Sequence, residues 1–223
     1  MLRLDPDAVV WSAPESARRE RPLLVLLHGR GADEHDLASL MPALPSGFVM
    51  ASVRAPLAEG PGWSWFQPDT DRLGDPEPGS ADAAADAVLA WLTESAGMPS
   101  KVGALGFSQG GAVATHMLRR DPHRVAFAVN LAGFVARGTQ LGDEILAHSL
   151  PPVFWGRGAD DPLFTYEMLH RTEPWLSRHT RVTMGCYLGL GHSISDEELR
   201  DVVTFLTGRL AAEPVSARPT KMG

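Results

Sequence analysis

Lys101-Val102-Gly103-Ala104-Leu105-Gly106-Phe107-Ser108-Gln109-Gly110 decides how this chain is read. An apolar run with strand character ends in G-x-S-x-G and passes without a break into a helical pattern. Such a corner holds its serine at the tip of a strained strand-to-helix turn. Glycine is needed on both sides because the strand and helix backbones leave no room there for a Cβ. The serine Oγ then stands exposed above the sheet, and the free N–H groups of the helix N-terminus point at the same place. This is the geometry of a nucleophile. A plain Gly-rich turn whose serine caps the helix would give the same five letters, so the partners decide.

The whole chain sets the frame for that search. Its 223 residues are enough for one large α/β domain with a sizeable core, expected over 1–211, with 212–223 as a frayed tail. A net charge of −7 argues against a nucleic-acid partner or an anionic membrane surface. No apolar stretch reaches the length of a membrane span, and the first residues lack the apolar core of a signal peptide. Cys186 is the single cysteine, which excludes an internal disulfide and suits a cytoplasmic protein; inside an apolar run, it reads as a core residue.

Apolar runs at 23–27, 48–53, 101–107, 125–131, 152–156 and 181–188 predict strands buried on both faces, with a weaker edge strand at 8–11. Helical patterns at 34–44, 80–96, 109–120, 165–178 and 196–210 alternate with them, and Gly97 with Pro99 marks the end of the second. Alternation with short links predicts one mostly parallel, doubly wound sheet flanked by helices, with ligands at the carboxyl ends of its strands.

The partners follow from that frame. Leu26-Leu27-His28-Gly29-Arg30-Gly31 ends the first central strand in a Gly-rich loop. By position, the backbone N–H groups of Arg30 and Gln109 would form an oxyanion hole. His28 has no second ligand at metal spacing and reads as structural support. After the strand at 152–156 come Asp160 and Asp161, and neighbours in a turn point different ways, so one at most can serve; Asp161 is assigned as the acid and Asp160 as a turn residue. Of eight histidines, His192 lies in a Gly-bounded loop between the last strand and the last helix, where it can take the Ser108 proton. Apart from His28, the others fall in helical patterns or at surface or helix-end positions. The chain order Ser108, Asp161, His192 is the Ser…Asp…His order of α/β-hydrolases.

These residues resemble the small carboxylesterase/phospholipase family, which also contains acyl-protein thioesterases. The resemblance runs from about Leu23 to Leu210 and rests on Leu27-His28-Gly29-Arg30-Gly31-Ala32-Asp33, Gly106-Phe107-Ser108-Gln109-Gly110-Gly111, Gly158-Ala159-Asp160-Asp161-Pro162 and Gly191-His192. It implies an α/β-hydrolase fold without a large lid domain and a serine esterase that needs no metal or organic cofactor. It places the acid on Asp161 and the oxyanion donors on Arg30 and Gln109. The family implies a small-molecule ester substrate, while a monomer and a homodimer both stay open. Arg30 stands where the eukaryotic thioesterase branch usually has leucine, which weighs against depalmitoylation, and Arg157 stands where histidine is common.

Gly60-Pro61-Gly62-Trp63-Ser64-Trp65-Phe66-Gln67 resembles the family's W-F loop. Trp63, Trp65 and Phe66 could wall the substrate pocket or pack the loop onto the sheet; Phe134 is a similar pocket candidate. The favoured activity is hydrolysis of small carboxylic esters through an acyl-enzyme. A thioesterase or lysophospholipase would use the same machinery, and a binding module on a hydrolase scaffold is the reading from another class.

Overall fold

The computed structural model describes residues 2–19, 21–71, 75–94 and 102–211. Its centre is a seven-stranded sheet in the order β1-β3-β2-β6-β7-β8-β9. The strands are β1 Val9–Trp11, β2 Leu23–Leu27, β3 Val49–Val53, β6 Val102–Phe107, β7 Val125–Leu131, β8 Pro152–Gly158 and β9 Arg181–Tyr187. β1 runs antiparallel to β3, as expected for the weak edge run, and every other pairing is parallel. A short hairpin, β4 Leu57–Glu59 with β5 Gly62–Ser64, lies outside this sheet.

Strand periodicity explains the two-sided core. Leu23, Val25 and Leu27 of β2 belong to one apolar layer and Leu24 and Leu26 to the other, because alternate side chains point to opposite faces. The first layer is closed by α1 Ser80–Glu94, α2 Gln109–Arg120, α3 Leu141–Ser149 and α4 Tyr166–His179, through residues such as Trp91, Met117, Leu146 and Leu176. The second is closed by α5 Asp196–Ala211, through Val202 and Leu206, with Leu37 and Leu44 beside them. Burial on both faces is what the all-apolar β2 requires, and β3, with Ser52 its one polar residue, is buried in the same way. This is the α/β-hydrolase fold. Among the described residues, no helix is long and apolar enough to cross a membrane.

Several expectations need correction. The helix at 34–44 is a 3-10 segment, Leu37–Ala43, containing Pro42; a proline lacks the N–H an α-helix needs and crowds the preceding turn. α3 was not expected at all. The run at 181–188 does form a strand, but β9 is the sheet's last strand and much of it is exposed, so Cys186 lies in solvent and not in the core. Apolar runs look alike in a central and an edge strand; how many neighbours cover them is decided elsewhere. Gly97, Pro99 and the tail at 212–223 fall outside the described residues.

Candidate active site

Sheet order brings the site together. β2 neighbours β6, so the Arg30 loop lies beside the Ser108 turn, and β8 neighbours β9, so the loops carrying Asp161 and His192 adjoin. Those two loops are stitched by Ala159 N–H to the Tyr187 carbonyl at 2.9 Å and Asp160 N–H to the Leu190 carbonyl at 3.0 Å.

Ser108 sits between β6 and α2 with φ 55° and ψ −117°, a conformation that costs a non-glycine residue roughly 1–3 kcal/mol. The surroundings hold it there. Ser108 N–H donates to the Leu131 carbonyl at 2.8 Å, and its own carbonyl accepts from Ala112 N–H at 3.1 Å. A Cβ on Gly110 would fall on the Leu27 carbonyl, and one on Gly106 on the Gly110 carbonyl, so neither position admits a side chain. Asn130, fully buried at the end of β7, accepts from Gly133 N–H and donates to Thr115 Oγ1, both at 2.9 Å, bracing the turn after β7 against α2.

His192 Nε2 lies 2.9 Å from Ser108 Oγ, and His192 Nδ1 lies 2.7 Å from Asp161 Oδ2. Asp161 is 8% exposed, and its other oxygen accepts from Leu163 N–H at 2.9 Å. The carboxylate fixes Nδ1 as the protonated nitrogen, which leaves the Nε2 lone pair directed at the serine hydroxyl. Asp160 does not approach the histidine by any hydrogen bond. The Phe107 ring packs beside His192 at 5.0 Å between centroids.

Arg30 and Gln109 line the same cavity as Ser108 and His192. Gln109 has a further role that the sequence did not disclose. Its side chain accepts from Trp65 N–H and donates to the Phe66 carbonyl, both at 3.0 Å, pinning the 65–66 segment. Trp65 Nε1 donates in turn to the His28 carbonyl at 2.8 Å. His28 Nδ1 donates to the Gly29 carbonyl at 2.7 Å and its Nε2 accepts from Ala55 N–H at 3.0 Å; burial pushes its pKa down and keeps it neutral. It is structural, as expected. The Arg30 side chain is tied to Glu59 of β4 through Nε at 2.6 Å, and that pairing raises the Arg30 pKa and lowers that of Glu59.

The cavity above Ser108 has a volume of about 600 Å³ and mostly apolar walls, with Phe134, Leu163, Phe164 and Met168 among them. Of the four aromatics proposed for it, Phe134 is in place. Trp63, Trp65 and Phe66 do not line it: Trp65 and Phe66 are fully buried in the core, and Trp63 packs under the Arg54 guanidinium. The segment turns its rings onto the sheet because Gln109 and His28 take up its backbone and indole groups. Leu163, Phe164 and Met168 were missed; Asp161-Pro162-Leu163-Phe164 follows the acid directly, and that proximity was the available signal.

Comparison with other proteins places the chain in a family and a fold. The family model described as Phospholipase/Carboxylesterase matches residues 12–209. The carboxylesterase SOBER1 of Arabidopsis thaliana is 30% identical over 115 residues, 50% of this chain and 50% of that protein. Acyl-protein thioesterase 1 of Candida albicans is 29% identical over 107 residues, 45% and 46% of the two chains. This chain thus spans about half the length of the curated relatives it matches. Among solved structures, the Bacillus cereus carboxylesterase has a TM-score of 0.77 at 23% identity, covering 90% of this chain and 93% of that one. The Mesorhizobium loti carboxylesterase has a TM-score of 0.75 at 23% identity, covering 93% and 99%. These two likenesses are of fold.

Proposed function

Because the chain belongs to the phospholipase/carboxylesterase family, we propose that it is a serine carboxylesterase acting on small carboxylic esters. One observation carries this reading: Asp161, His192 and Ser108 stand in a single hydrogen-bonded row at 2.7 and 2.9 Å beside an apolar cavity. His192 takes the Ser108 proton as Oγ attacks the acyl carbon. The negative oxygen is held by the backbone N–H groups of Arg30 and Gln109, each worth roughly 3 kcal/mol. His192 returns the proton to the departing alcohol, leaving an acyl group on Ser108. A water deprotonated by His192 then frees the acid and restores the serine. No step in this scheme calls on a metal or organic cofactor. In this reading residues 1–211 form the catalytic domain, and the single cysteine fits a cytoplasmic setting.

The test is hydrolysis of p-nitrophenyl esters from acetate to palmitate by wild type and Ser108→Ala. The expected result is activity that peaks at short acyl chains and falls at least about a thousandfold in the variant. A peak at long chains would reassign the same machinery to a thioesterase or lysophospholipase. Equal inactivity of the two proteins would refute the catalytic reading and leave a ligand-binding module.

A further inference from the structure

Three segments that carry none of the catalytic side chains build part of the cavity wall. Pro68, Asp69 and Thr70 come from the strap after β5, Ala132 and Phe134 from the turn after β7, and Met168 from the first turn of α4. All three segments are joined at one buried carboxylate. Asp75 Oδ2 accepts from Arg137 Nε at 2.5 Å, and Asp75 Oδ1 accepts from Arg171 Nη2 at 2.5 Å. Arg171 Nη1 adds a longer bond of 3.3 Å to Oδ2.

Each partner leads to a lining residue. The Asp75 carbonyl accepts from Asp69 N–H at 2.7 Å, tying the carboxylate to the strap's lining limb. Arg171 Nε donates to the Val135 carbonyl at 2.7 Å, one residue beyond Phe134, and its guanidinium lies 5.8 Å from the Phe134 ring centroid. Val135 N–H donates to Thr172 Oγ1 at 3.0 Å, so the turn after β7 is bound to α4 through both backbone groups of Val135. Arg171 stands three residues after Met168 and therefore on the same side of α4. Two guanidinium groups on one buried carboxylate fix direction as well as distance. Breaking one leg strands a charge in a place with little water.

We propose that Asp75 is a positioning residue for substrate selectivity, latching the strap, the Phe134 turn and α4 into one rigid wall against which the acyl chain rests. This rests on the esterase reading above. Asp75 makes no hydrogen bond to Ser108, Asp161 or His192, so the latch bears on how the chain beyond the carbonyl is held and not on bond cleavage. An octanoyl group reaches further from Ser108 than an acetyl group and offers that wall more surface to hold.

The experiment measures kcat and KM for p-nitrophenyl acetate, butyrate and octanoate with wild type, Asp75→Asn, Asp75→Ala, Arg171→Ala and the Asp75→Ala/Arg171→Ala pair. For octanoate, KM should rise about fivefold to tenfold with kcat within about twofold, the signature of lost ground-state contact, while acetate stays within about twofold on both. The pair should be no worse than the worse of its single variants, because both remove the same latch. Asp75→Asn keeps the hydrogen-bonding shape while dropping the charge, and it gives the same split in milder form if Asp75→Ala folds poorly. A uniform fall across all three esters, or profiles that match wild type, would overturn the proposal. Failure of the esterase reading looks different: wild type itself would then hydrolyse none of them.

Discussion

Glu198 should cost this protein stability at neutral pH, and replacing it should show how much. It lies in the first turn of α5 at 1% exposure, and neither carboxylate oxygen has a hydrogen-bond partner among the described residues. It occupies the space that a Cβ on Gly156 would need. Burial, with the Asp201 charge adding to it, pushes its pKa from 4.5 up to about 7. Its place near a helix N-terminus favours the anion by roughly 0.3–1 kcal/mol, too little to offset that burial. At 1.36 kcal/mol for each tenfold change, the rise amounts to about 3 kcal/mol. The sign follows from linkage. A folded pKa above the unfolded one means the fold prefers the protonated acid; that contribution is whole below pH 4.5 and is lost as pH rises through about 7. Glu198→Gln imitates the protonated form at every pH. Urea denaturation of both proteins from about pH 4 to about pH 8.5 should therefore show the variant close to wild type in acid and about 3 kcal/mol more stable in base. For a chain of this length, that corresponds to a rise in Tm of roughly 6–12 °C at the basic end. A stability difference that stays constant with pH, or that grows toward acid, would refute the reasoning.

Asp161→Asn should lower kcat about ten-thousandfold, because an amide no longer fixes the His192 tautomer, while Asp160→Asn should leave kcat nearly unchanged; comparable losses from both in steady-state assays would undo the choice between them. Gln109→Met keeps the side-chain volume but leaves Trp65 N–H and the Phe66 carbonyl without partners. At about 1–3 kcal/mol each, denaturant unfolding should register a loss of roughly 2–6 kcal/mol, and a loss below about 1 kcal/mol would mean that water or backbone adjustment takes over.

The parts legible in the sequence were those imposed by local sterics and chain order. Gly106 and Gly110 admit no Cβ because other backbone occupies that space, so the turn around Ser108 writes itself into five letters. Asp161 and His192 follow strands that end at the same edge of a parallel sheet, and a doubly wound order leaves them nowhere else to meet. What stayed hidden depends on which face a residue turns and on partners far away in the chain. Trp65 and Phe66 are as aromatic as any pocket residue, but a glutamine 44 and 43 residues later fixes their backbone and commits both rings to the core. The Asp75 latch joins residues 62 and 96 positions apart, and no window of sequence contains such a pattern. β9 failed as a core strand for a related reason: it carries an ordinary strand pattern, but a single neighbour, β8, pairs with it in the sheet. The residues proposed to cleave an ester are therefore a local, readable property of this fold, whereas the wall that would choose the ester is assembled from distant contacts. Under the proposed function, selectivity in this chain has to be traced through contacts like those of Asp75 and Gln109, since the Ser108 turn speaks to the bond broken and is silent on the acyl chain beyond it.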